Sequence, residues 1–231
     1  MFFNINYIIF MIPAFVLMAL TSWYVKSAYN KWSQVRARSG LTGAQAAQRL
    51  ISSSGLYGVQ IHAIAGEMTD NYDPRTKVLN LSQGVGSTPS VAALAIAAHE
   101  LGHAMQDSED YFPLRFRAAL VPAVNIGSNL GWILIMIGLF IQVTQIAWLG
   151  VIVFSAGTIF ALATLPVEFD ASARAKRMLA DSGIIVGEDE RNGVNKVLNA
   201  AALTYVAALI TSIMQLLYYV TLISGGNRRR S

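Results

Sequence analysis

Residues 118–167 read AALVPAVNIGSNLGWILIMIGLFIQVTQIAWLGVIVFSAGTIFALATLPV, fifty positions without an Asp, Glu, Lys or Arg. A bilayer core about 30 Å thick is crossed by about 20 apolar helical residues, so this stretch is long enough for two crossings. The polar link Gln142-Val143-Thr144-Gln145 divides it, and a link that short makes the spans, expected over 123–141 and 146–165, antiparallel neighbours. Outward on both sides the pattern repeats. Residues 1–25 and 197–227 also lack charged side chains, and each holds one further span, over about 7–24 and 201–223.

These blocks explain the composition of the 231-residue chain, which is 54% hydrophobic and only 13% charged. An ordinary soluble domain carries about 25% charged residues, so a water-facing surface all round is excluded. The chain divides into a first span (1–25), a charged segment (26–117), the membrane hairpin (118–167), a second charged segment (168–196), and a last span with its tail (197–231). The N-terminal stretch lacks the basic start of a signal peptide and is expected to be a retained anchor. Of the 17 Lys and Arg, 14 lie in the two charged segments, which four spans place on one side. The positive-inside rule makes that side cytoplasmic in a multi-pass inner (plasma) membrane protein, although Arg228-Arg229-Arg230 opposes the assignment. The net charge of +4 is therefore read as topology, and no basic stripe interleaved with aromatics points to nucleic acid. With no cysteine there is neither a disulfide nor a thiolate ligand or nucleophile.

Within 26–117, a short amphipathic helix is expected over 43–53, with Thr42 as N-cap and Gly55 as its stop. Alternation predicts strands over 58–65 and 77–82, separated by the turn formers of 69–76. A helix follows over 91–106, announced by Ser87-Thr88-Pro89. The expected fold is a predominantly α-helical integral membrane protein with about four transmembrane helices and a small α+β portion.

That helix carries Ala97-Ala98-His99-Glu100-Leu101-Gly102-His103-Ala104. Residues four apart on a helix differ by about 40° in direction, so His99 and His103 point the same way. Two imidazoles so placed fit one tetrahedral Zn²⁺, and Glu100 flanks the site as a base for water. A catalytic zinc needs a third protein ligand and an open fourth position. His62 lies in a strand and reads as structural. Glu168 is the stronger candidate, because it is the first charged residue after the hairpin, on the side from which the hairpin left. For the oxyanion, Arg174 and Tyr205 are candidate donors.

At these residues the chain resembles the YugP-like neutral zinc metallopeptidases of bacterial membranes, related at the site to HtpX and the CAAX prenyl proteases of the gluzincin group. The resemblance rests on Asp70-Asn71-Tyr72-Asp73-Pro74-Arg75 with Leu81-Ser82, on the His99 motif, on Glu168-Phe169-Asp170-Ala171-Ser172, and on Ala201-Ala202-Leu203-Thr204-Tyr205-Val206. It implies a minigluzincin-like catalytic portion and one zinc per chain on His99, His103 and Glu168, with Glu100 as general base. It also implies an edge strand at Val78, Leu79, Asn80 and Leu81 that pairs with extended substrate. Many gluzincins place an Asp four residues after the ligand Glu to orient a histidine, and here Ser172 stands there. Either its hydroxyl or Asp107 is left to do so.

The activity expected is zinc-dependent endopeptidase cleavage of membrane or misfolded proteins. Its partners would be the bilayer and a membrane-associated polypeptide, with a homo-oligomer or accessory membrane protein left open. An intramembrane protease would carry its motif inside a span, whereas charge crowds the residues just after His103. A zinc-binding scaffold or chaperone without activity would be expected to close all four positions with ligands.

Overall fold

The computed structural model describes residues 5–227, so Arg228, Arg229 and Arg230 lie outside the described residues. Four helices are long and apolar enough to cross a membrane among the described residues: α1 (Ile5–Ser33), α5 (Phe112–Phe140), α6 (Thr144–Asp181) and α7 (Glu188–Asn227). Large apolar side chains stand exposed along them, among them Trp23 at 69% and Ile152 at 67%. In water such a surface would be costly, and in a bilayer it is the surface the solvent requires. The remaining elements are α2 (Gly43–Ser53), β1 (Gln60–Ile64), β2 (Asn71–Asp73), β3 (Val78–Ser82), the single turn α3 (Gln83–Gly86) and α4 (Val91–Ser108).

The chain forms two compact units. The first holds Met1–Thr21, Arg115–Leu165 and Thr204–Ser231, and so takes most of each apolar span. Small residues set the helix spacing within it. A Cβ on Gly131 of α5 would lie 2.6 Å from the Phe154 backbone nitrogen of α6, an approach only glycine permits.

The second unit holds Ser22–Leu114 and Pro166–Leu203. Its core packs α2, β3 and α4 with the later turns of α6 and the early turns of α7, through Leu50, Leu79, Leu94, Leu101, Leu179 and Leu198. α2 starts as its residues dictate: Thr42 accepts from the Gln45 N–H, and the Gln45 side chain accepts from the Thr42 N–H, a reciprocal capping box. Gly55 follows with φ +71°, the left-handed conformation that ends a helix at low cost.

The sheet differs from the sequence reading in two ways. Residues 71–73, expected to be part of a turn, form β2, which pairs antiparallel with β3 in the register Asn71↔Asn80, Tyr72↔Leu79 and Asp73↔Val78. The turn itself is shorter, closed by Asp73, whose carboxylate accepts from the Arg75 N–H and the Thr76 hydroxyl. β1 then pairs parallel on the other side of β3, giving the order β1-β3-β2. The strand Val78, Leu79, Asn80 and Leu81 is therefore central and not an edge. Its ladder groups are taken on both sides, and the edges are β1 and β2.

The second charged segment continues the membrane hairpin, because α6 runs unbroken through Pro166 and past Glu168. Burial of Val167, Ala171 and Ala175, each at 0% exposure, offsets the one hydrogen bond that a proline removes. The acidic run Glu188-Asp189-Glu190 forms the first turn of α7, where carboxylates complement the helix dipole.

Candidate metal centre

α4 is capped by Ser90, whose hydroxyl accepts from the Ala93 N–H, and its first turns are alanine-rich and buried apart from the half-buried Ile96. Small side chains let other elements approach this helix closely. One such approach is at the motif itself, where a Cβ on Gly102 would stand 2.5 Å from the Ala171 carbonyl oxygen. α6 thus lies directly against α4 beside the two histidines and delivers Glu168 to them.

His99 Nε2 lies 3.2 Å and His103 Nε2 3.6 Å from the same Glu168 oxygen, Oε2. The three ligand atoms all fall within 4.8 Å of one another, and the side chains are 12%, 13% and 4% exposed. Ligands held at about 2.0–2.1 Å around a tetrahedral ion stand about 3.3 Å apart. The cluster therefore has the donor type and the spacing of a two-histidine, one-carboxylate zinc site.

Glu100 occupies the flank. Its Oε2 accepts from the Tyr72 backbone N–H at 3.1 Å, which ties β2 to α4 and leaves the other carboxylate oxygen for chemistry. Burial pushes the Glu100 carboxyl above the ordinary glutamate range against the pull of His99 and His103, and Glu168 and Asp70 add to the rise. A base so shifted is better matched to neutral pH.

The surrounding residues sort differently from the sequence expectation. Ser172 Oγ does meet His99, at 3.2 Å from Nδ1. Asp107 is drawn away from the histidines and accepts from the Tyr72 hydroxyl at 2.7 Å and from Lys77 Nζ. The contact with His103 Nδ1 is made by Gln106 Oε1 at 3.0 Å, a role that the sequence reading missed. Its only signal there is a polar residue one turn beyond His103, on the helix face that carries both histidines. Arg174 is engaged by Asp170 and by Glu109 and lies over the Tyr111 ring, so it buttresses α6 where an oxyanion donor was expected. Tyr205 lies on α7 in the first unit, whereas the cluster lies in the second.

Comparison with known proteins agrees with this geometry. The profile of the family described as "Putative neutral zinc metallopeptidase" matches residues 7–224. The chain belongs to this family. Among curated proteins it is 43% identical over 220 residues to "Putative membrane protease YugP" of Bacillus subtilis (strain 168), covering 95% of this chain and 97% of that protein. No solved structure matches at a significant level. The matched span of the zinc metallopeptidase family includes every residue of the cluster and extends from the first apolar helix into the last.

Proposed function

We propose that the protein is a membrane-embedded zinc endopeptidase whose metal is held by His99, His103 and Glu168 and whose general base is Glu100. The observation that carries this reading is the convergence of both histidine Nε2 atoms on one Glu168 oxygen, at 3.2 and 3.6 Å, beside a raised carboxyl. Bound there, zinc would supply a Lewis acid for the scissile carbonyl and an acidified water. Glu100, through the oxygen that Tyr72 leaves free, is placed to accept a proton from the water as its oxygen bonds to the carbonyl carbon, and to return that proton to the amine nitrogen as the C–N bond breaks.

Substrate alignment falls to β2. Tyr72 turns its N–H away from β3 toward Glu100, so the outer edge of β2 runs beside the base. An extended polypeptide adding to that edge would be held by its main chain, with little sequence demand, and would present successive peptide bonds to the site. Such a mode suits membrane or misfolded proteins as substrates. The concentration of Lys and Arg in the two charged segments supports a catalytic unit on the cytoplasmic side of the inner membrane.

The test is Glu100→Gln in the full-length protein. Cleavage of an unfolded membrane substrate should fall by about 10²–10⁴-fold, with zinc content unchanged. Undiminished cleavage would contradict the assigned base. A wild type that holds zinc yet cleaves nothing would favour a scaffold or chaperone.

A further inference from the structure

Gln106 is fully buried on α4, at 0% exposure, and its surroundings distinguish the two ends of its amide. Nε2 lies 2.7 Å from the Val167 carbonyl oxygen and 2.9 Å from Asp170 Oδ2. A main-chain carbonyl only accepts, so the NH₂ end must face α6 and the oxygen end must face His103. An amide oxygen also only accepts. The hydrogen in the 3.0 Å contact between them therefore sits on His103 Nδ1, which leaves the lone pair of the neutral ring on Nε2. Nε2 is the nitrogen that faces Glu168.

The amide has no second orientation open to it. Turned over, its oxygen would meet the Val167 carbonyl and the Asp170 carboxylate, three acceptors with no hydrogen among them. Asp170 is itself held by Arg174 Nε, and Arg174 reaches Glu109 Oε2 at 2.7 Å. The contrast with His99 is chemical. Its Nδ1 meets the Ser172 hydroxyl, which rotates and can donate or accept, so that contact does not choose a tautomer.

We propose that Gln106 is a positioning residue for the metal: it holds His103 as the Nδ1–H tautomer with Nε2 turned to the ion, and Asp170 and Arg174 lock the amide that does so. The proposal rests on the zinc reading of the His99, His103 and Glu168 cluster.

It is tested by the zinc affinity of full-length protein in detergent, stripped of metal and titrated against a chromophoric chelator. Gln106→Met removes the acceptor at Nδ1 and should weaken zinc by about 10–100-fold. Gln106→Glu keeps an acceptor there but loses the donor to α6, and should stay within about fivefold of wild type. A purely structural pin between the helices predicts the reverse order, because the introduced carboxylate faces Asp170 and the Val167 carbonyl. A Gln106→Glu protein weaker than Gln106→Met, or a Gln106→Met protein indistinguishable from wild type, would overturn the proposal. A second measurement needs no variant: ¹⁵N-histidine spectra of zinc-loaded wild type should show the His103 proton on Nδ1, and a proton on Nε2 would also overturn it. Wild type that takes up no zinc would remove the metal reading itself and this inference with it. Zinc binding that survives intact in Gln106→Met would remove only the inference.

Discussion

Gly102 and Ala171 touch backbone to backbone: a Cβ on the first would sit 2.5 Å from the carbonyl oxygen of the second. A glycine between the two histidines therefore lets α6 come into backbone contact with α4, beside the point where Glu168 joins the cluster. Gly102→Ala should improve helix propensity by about 1 kcal/mol and cost about 1–3 kcal/mol by overpacking. The net expectation is modest destabilisation with a disproportionate loss of zinc, because the displaced helix is the one that bears Glu168. Parallel measurement of thermal unfolding and zinc content checks this, and an alanine variant with full zinc content would show that the approach does not set the site.

Glu168→Gln retains size and hydrogen-bonding capacity but removes the negative charge from a side chain only 4% exposed. Changes one shell further out already cost about 10–100-fold in metal affinity. The loss here should exceed about 100-fold, with the fold of the zinc-free protein intact. Chelator competition measures it, and unaltered affinity would remove Glu168 from the ligand set.

Zinc binding should depend on pH in a defined direction. Burial lowers the pKa of His103, but its hydrogen bond to Glu168 and the charges of Glu100 and Glu168 outweigh that and hold it above the ordinary histidine value without metal. A folded-state pKa that is raised stabilises the metal-free fold below the ordinary value, and that stabilisation is lost as pH rises through the raised one. Zinc requires the neutral ring, so its binding runs the other way. The increase in Tm that zinc produces should be largest near about pH 8 and should shrink toward about pH 5.5. Unfolding curves with and without zinc across that range decide it, and an increase that grows toward acid would contradict the assignment.

Thr42→Ala offers a contrast away from the metal. It breaks the capping box with Gln45 at the start of α2, whose Ala46, Ala47, Leu50 and Ile51 pack into the core. The expected cost is about 1 kcal/mol, seen as a lower Tm, with zinc affinity unchanged. A variant that lost zinc while keeping its Tm would mean that α2 acts on the site directly.

What could be read from the sequence was local. The charge-free blocks have the length of membrane spans because a bilayer excludes charge whatever else the chain does. His99 and His103 share a face because helical periodicity puts them there, and the Thr42 cap and the Gly55 stop follow from the same short-range rules. The place of Glu168 beside the two histidines was legible for a related reason, since a hairpin of two spans returns the chain to the side it left.

Pairings between distant segments were decided only in the tertiary structure. β3 became central because β1 and β2 both found it, and alternation along a strand does not say which strands flank it. Gln106 gained its meaning from Val167 and Asp170, 61 and 64 residues further along. Arg174 is paired with Asp170 and Glu109, carboxylates that only packing placed around it. The sequence by itself determined four membrane helices and a paired-histidine motif, because solvent and helix geometry act on each segment alone. The packing of α6 against α4 decided which atoms meet in the His99, His103 and Glu168 cluster, because hydrogen bonds and close contacts between segments exist only once the fold has brought them together.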